Sequence, residues 1–311
     1  MKSRILLTVV MSLLVFTAAC GNGSGSAGGE NQKKVMVDGS STVFPIMEAV
    51  AEEYSAANPN VKATIGVSGT GGGFEKFIVG ETDITNASRP VTKAEKKALE
   101  EAGIEYTEFK IALDGLSVVV NEKNDWVDKL TVEELNKIWS ESSDVETWAD
   151  VRAGWPEEEI KFFSPGADSG TFDYFDEVIL DGKQIRKDAA LSENDNVLVQ
   201  GVSGTKQAIG YFGFAYYLEN KDDLKIVPIV NKEGKAITPS QETIQSGVYE
   251  PLSRPLFIYV KHEALKDEAV YDFTKYTLKN AGEMAEAVGY VALPNSVYEQ
   301  DLKKLAEIAG K

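Results

Sequence analysis

Ser164-Pro165-Gly166-Ala167-Asp168-Ser169-Gly170-Thr171-Phe172-Asp173 is the stretch from which the rest of the chain can be read. A strand-like run at 160–163 ends in Pro and Gly, and Asp-Ser-Gly-Thr then leads into an apolar segment with helical spacing. Such a turn brings hydroxyls and free backbone N–H groups to one point, at the positive end of a helix dipole. That is an anion cradle. Two similar turns lie upstream, Asp38-Gly39-Ser40-Ser41-Thr42 before Val43, and Val67-Ser68-Gly69-Thr70-Gly71-Gly72-Gly73 before Phe74. Three hydroxyl-and-glycine turns, each between an apolar run and a helix, imply one small tetrahedral oxyanion held between them.

Around these turns strand and helix alternate. The pattern predicts strands at 35–37, 61–67 and 82–87, and helices at 43–57 (Pro45 in the first turn), 72–79 and 92–102, the last capped by Thr92 with Glu95 three residues on. Further helices are expected at 131–139, 194–201, 269–279, 282–288 and 296–308, and a buried aromatic segment at 208–217. Two strongly apolar strand-like runs, 111–120 and 255–260, bracket the middle of the chain. This suits an α/β fold of two lobes joined by two crossing strands, with a ligand cleft between them and closure by hinge motion. Lobe I is expected at 34–117 and 255–311, and lobe II at 118–254. The first two turns would come from lobe I and the third from lobe II.

The first 20 residues read as an export signal, with Lys2 and Arg4 at the charged end, an apolar stretch at 5–16 and Thr17-Ala18-Ala19-Cys20 as the cleavage region. Ala-Ala-Cys resembles a lipobox, so Cys20 is expected to be lipidated and to become the mature N-terminus. It is the sole cysteine, which excludes an intrachain disulfide. Residues 21–33 form a tether rich in Gly and Ser. The folded part is therefore expected outside the cytoplasmic membrane, anchored to it by lipid. Formal charge is −17; losing Lys2 and Arg4 leaves 30 basic against 49 acidic residues, or −19. That balance argues against nucleic acid as a partner. A small anion is not excluded, because nearby donors decide its affinity once distant charges are screened.

Asp-Gly-Ser-Ser-Thr-Val-Phe-Pro-Ile (38–46), Val-Ser-Gly-Thr-Gly-Gly-Gly-Phe (67–74), Asp-Ile-Thr-Asn-Ala-Ser-Arg-Pro (83–90) and Asp-Ser-Gly-Thr-Phe-Asp (168–173) resemble the phosphate-binding proteins of phosphate-specific ABC importers, in that family's order and spacing. The resemblance implies a periplasmic-binding-protein fold, high-affinity binding of inorganic phosphate, delivery to ABC permease subunits, a monomer, and neither cofactor nor catalysis. It also implies roles for individual residues. Thr42 supplies a hydroxyl and a backbone N–H and Val43 a backbone N–H, with Ser41 beside them. Ser68 binds through its side chain, with the Gly69 and Thr70 backbone close by, and Ser169, Gly170 and Thr171 donate from the third turn.

In the best-known form of the family an Asp follows the Ala-Ser pair and takes the phosphate proton, while an Arg precedes the third turn. Here Arg89 and Pro165 occupy those positions. Arg89 is thus expected to contact the anion from lobe I, the rival reading being an ion pair with Asp83. The proton acceptor is then sought in Asp168 or Asp173, which flank the third turn. Arg254 is expected as a hinge or packing residue. Trp126, Trp139, Trp148 and Trp155 are expected in packing, and His262, the one histidine, at the surface. Other functions are weaker fits. No Ser-His-Asp, Cys-His, P-loop or metal-ligand pattern is present, so a secreted phosphatase trails. Binding of sulfate or molybdate differs only in the choice of tetrahedral anion.

Overall fold

In the computed structural model the described residues are 32–167 and 169–311. Cys20, the leader, nearly all of the tether and Asp168 lie outside them. In chain order the strands are β1 (Lys33–Gly39), β2 (Val61–Ile65), β3 (Ile84–Ala87), β4 (Tyr106–Asn121), β5 (Leu130–Thr131) and β6 (Lys161–Pro165). They continue with β7 (Ala190–Ser192), β8 (Ala208–Gly213), β9 (Leu224–Ile226), β10 (Ile229–Val230), β11 (Ala236–Ile237) and β12 (Ser253–Lys261).

Nine of them form one mixed sheet in the order β2-β1-β3-β12-β4-β8-β6-β7, with β9 also on β4. β1 runs parallel to β2 and β3, because helices Phe44–Ala57 and Gly69–Val79 carry the chain back between them. β6 is likewise parallel to β7 and β8. β4 joins the two halves. It pairs antiparallel with β12 as far as Gly115 and with β8 from Leu116 onward. Residues 111–120 are buried without exception, as a strand covered on both faces requires. β12 returns the chain to the first half, antiparallel to both β3 and β4. The fold is α/β and two-lobed, as expected from the apolar runs at 111–120 and 255–260.

Apolar spacing places the helices on these sheets. Tyr54 of helix Phe44–Ala57 meets Phe273 edge-to-face at 5.3 Å on helix Glu268–Ala287. On the opposite face Phe74, Phe77 and Leu99 pack with Tyr259. In the second half Trp139 is enclosed by Phe162, Phe175 and Tyr211 at 5.1–5.7 Å, and Trp148 lies against Trp126 and Trp155. Arg186 is buried there, donating to the carbonyls of Ile138 and Val145 and pairing with Asp188 at 2.6 Å. A capping box starts its helix as the sequence predicts, Thr92 with Glu95, and a second joins Thr131 with Glu134.

Three expectations change. The helix predicted at 72–79 begins at Gly69, so the glycine run is helical rather than a loop. The helices predicted at 269–279 and 282–288 are one, Glu268–Ala287. Gly282 keeps its helix on course because Tyr298 of helix Asn295–Ala309 packs against it; a Cβ there would lie 3.1 Å from the Tyr298 ring. His262 is half-buried rather than on the surface, with Nε2 2.9 Å from Thr107 Oγ1.

Candidate anion site

Turn one closes tightly. The Val43 and Phe44 N–H groups donate to Ser40 O at 3.2 and 3.1 Å, which starts helix Phe44–Ala57 directly behind Thr42. Turn two starts helix Gly69–Val79 on the neighbouring crossover. Both helix N-termini open onto one small cavity of about 220 Å³. Its wall consists of Ser40, Ser41 and Thr42 from turn one, Gly69, Thr70 and Gly71 from turn two, Ser88 and Arg89 after β3, Asp173 and Glu177 beyond turn three, and Arg254 at the start of β12. A water's share of liquid volume is about 30 Å³, so the space suits a small anion with a few waters. It is below the roughly 300 Å³ at which drug-sized pockets begin.

Hydroxyls link the wall. Thr70 Oγ1 lies 3.2 Å from Ser88 Oγ and accepts from the Ser88 N–H at 3.2 Å. Ser41 Oγ donates to Asp173 at 2.7 Å, and Thr42 Oγ1 accepts from Arg254 Nη2 at 3.0 Å. Thr42 is buried and also reaches Gly170 O at 3.4 Å, so turns one and three are in contact. Gly170 allows that approach, since a Cβ there would sit 2.6 Å from Thr42 Cα.

The expected ligand residues divide into two groups. Ser41, Thr42, Gly69, Thr70, Arg89 and Asp173 line the cavity. Val43, Ser68, Ser169, Gly170 and Thr171 are beside it, each with another partner. The Val43 N–H closes turn one, and Ser68 Oγ donates to Asp38, whose other oxygen takes Lys76 at 2.7 Å. Ser169 Oγ caps its own helix by accepting from the Thr171 N–H at 3.2 Å. Turn three therefore meets the cavity through the next helical turn, Asp173 and Glu177.

The two arginines differ from expectation. Arg89 donates to Glu95 through both terminal nitrogens, at 2.9 and 2.8 Å. The ion-pair partner is thus Glu95 of the following capping box, while Asp83 accepts from the Met36 N–H. Burial opposes ionisation of Glu95, but hydrogen bonds from Arg89 and Thr92 outweigh it and hold the carboxyl below its usual range. Arg254, expected only in hinge packing, is on the cavity wall. Its guanidinium lies 3.8 Å over the Tyr174 ring, 2.9 Å from Glu177 and 3.4 Å from Asp114. Burial pushes the Asp114 carboxyl up to about 6 against the pull of Arg254. No local pattern marks Arg254, because Thr42, Asp114 and Glu177 are 212, 140 and 77 residues away.

A larger depression of about 900 Å³ lies elsewhere, around Val79, Ile104, His262 and Ile308, and takes no part in the three turns.

Residues 24–281 match the family profile described as a PBP superfamily domain. The phosphate-binding protein PstS of Staphylococcus saprophyticus is 45% identical over 311 residues, covering 100% of this chain and 96% of that protein. Protein SphX of Synechococcus elongatus is 49% identical over 266 residues, 85% of this chain and 79% of that one. A crystal structure described as a possible phosphate binding protein from Planctomyces limnophilus shares 48% identity with a TM-score of 0.85, covering 89% of this chain and 99% of that chain. The motifs, the two-lobed sheet and this similarity along the whole chain agree: the protein belongs to the PstS family of phosphate-binding proteins, within the PBP superfamily.

Proposed function

We propose that this protein binds inorganic phosphate outside the cytoplasmic membrane and passes it to an ABC importer. The observation that carries the reading is the cavity at two helix N-termini, walled by the hydroxyls of Ser41, Thr42, Thr70 and Ser88 and edged by two guanidinium groups. Lobe I (34–117 and 255–311) and lobe II (118–254) close on the anion, desolvate it and form the surface that the permease subunits recognise. Closure brings Ser169, Gly170 and Thr171 to the phosphate beside Ser68 and the Val43 N–H. The protein works as a monomer held to the membrane by lipid on Cys20, and it turns over no substrate.

Asp173 accepts the phosphate proton. Its carboxylate already takes a hydrogen bond from Ser41, on the cavity wall. Phosphate at neutral pH carries at least one proton to donate there, whereas sulfate carries none and would face the carboxylate as an unpaired like charge. Calorimetric titration with phosphate and then sulfate, on protein freed of carried-over anion, tests the function. Phosphate heat without sulfate heat is expected; equal affinity for both would remove Asp173 from this role, and no heat from phosphate would refute the function.

A further inference from the structure

Two arginines edge the cavity, and their surroundings are not equivalent. Arg89 has both terminal nitrogens on Glu95, a carboxylate of its own neighbourhood, and Nη1 also reaches Pro90 O at 3.2 Å. Arg254 is supported differently on its two sides. Behind it are the Tyr174 ring and Asp114, a carboxylate 1% exposed whose Oδ1 has no hydrogen-bond partner among the described residues. On the cavity side Nη2 donates to Thr42 and Nη1 to Glu177, whose side chain is 59% exposed. One edge of the guanidinium is fixed by buried groups, while the other holds a carboxylate that can leave into water at little cost.

From this asymmetry we propose that Arg254, and not Arg89, is the residue that brings positive charge to the phosphate, with Glu177 occupying its outer edge until the anion replaces it. Asp114 and Tyr174 are positioning residues. The proposal rests on the phosphate reading above. An oxyanion taking the place of the Glu177 carboxylate preserves the planar, charge-assisted contact, so no buried charge is left unpaired during the exchange. Glu177 is therefore a built-in competitor of the ligand. Arg254 also touches Thr42 of turn one and Glu177 of the turn-three helix, so the exchange is felt on both sides of the cleft.

The test is calorimetric titration of the full-length protein and four variants with inorganic phosphate at low salt. Glu177→Gln, an exposed change that leaves the buried pair intact, should bind phosphate about three- to ten-fold tighter, and this gain should shrink at high salt. The double variant Arg254→Gln with Asp114→Asn, which leaves no unpaired charge behind, should lose about 100-fold, Arg254→Lys should fall between it and wild type, and Arg89→Gln should lose less than about ten-fold. Circular dichroism and thermal melts report whether each variant is folded. If the double variant does not fold, the Glu177→Gln gain and the order of Arg254→Lys against Arg89→Gln decide. Unchanged or weaker binding by Glu177→Gln, or a greater loss from Arg89→Gln than from the Arg254 variants, overturns the proposal while leaving phosphate binding intact. A wild-type protein that binds no phosphate overturns both together.

Discussion

Replacing Gly170 with Ala separates ligand affinity from stability. The added Cβ would lie 2.6 Å from Thr42 Cα and 3.1 Å from Thr42 Cβ and Oγ1, whereas ordinary contact begins at 3.4 Å. Turns one and three must therefore part by about 0.8 Å, an overpacking cost of about 1–3 kcal/mol. Gly170 opens its helix with a φ that other residues also adopt, so Ala should leave the fold intact. The variant relieves this penalty by parting the two turns, and holding the anion with the turns pressed together restores it. Apparent affinity should drop by about 5- to 150-fold. Thermal or urea unfolding with and without phosphate makes the separation visible. At a concentration 100-fold above the wild-type Kd, phosphate stabilises wild type by about 2.7 kcal/mol; a variant 100-fold weaker gains only about 0.4 kcal/mol. Wild-type affinity in a folded Gly170→Ala protein would refute the idea that closure presses these two turns together.

Thr42→Ala removes the hydroxyl that joins Arg254 and Gly170, and calorimetry should show phosphate binding weakened about ten-fold or more. Asp114→Asn concerns pH. The folded carboxyl protonates near 6 instead of its ordinary 3.8, so its contribution to stability is full below about pH 4 and is lost as pH rises through 6. Asn does not titrate, so the variant should gain on wild type by about 3 kcal/mol between pH 4 and 6, read from urea melts at each pH. A constant difference would remove Asp114 as the titrating group. Arg186→Ala leaves the carbonyls of Ile138 and Val145 without their donor, while the mostly exposed Asp188 returns to water, and should cost about 2–4 kcal/mol with phosphate affinity unchanged.

Local chemistry made much of this molecule legible. Turn one, Thr92 with Glu95, the helix opening at Thr131 and the ten-residue apolar core of β4 are each decided within a few residues, and these appear as expected. Failures came where a distant neighbour decides. Gly69, Thr70 and Gly71 read as turn because glycine is a poor helix former, yet burying Phe74 and Phe77 carries the helix back to Gly69. Gly282 reads as a helix break until Tyr298 is packed against it. Arg89 is nearly readable, since Glu95 is a capping residue six positions on, and one carboxylate can serve both. Arg254 was not readable at all, because the partners that put it on the cavity wall come from three remote segments.

The unbroken course of β4 has a mechanical meaning. Its ladder passes from β12 to β8 between Gly115 and Leu116, and the amides at the handover stay engaged, Leu113 with Val291 O at 2.8 Å and Leu116 with Leu252 O at 2.9 Å. A rotation of one half against the other centred there is taken up as twist of a strand whose peptide groups are paired on both sides. In that role β4 would behave as a torsion spring under the closure proposed above. Deuterium uptake at 113–119 should stay slow throughout the binding cycle.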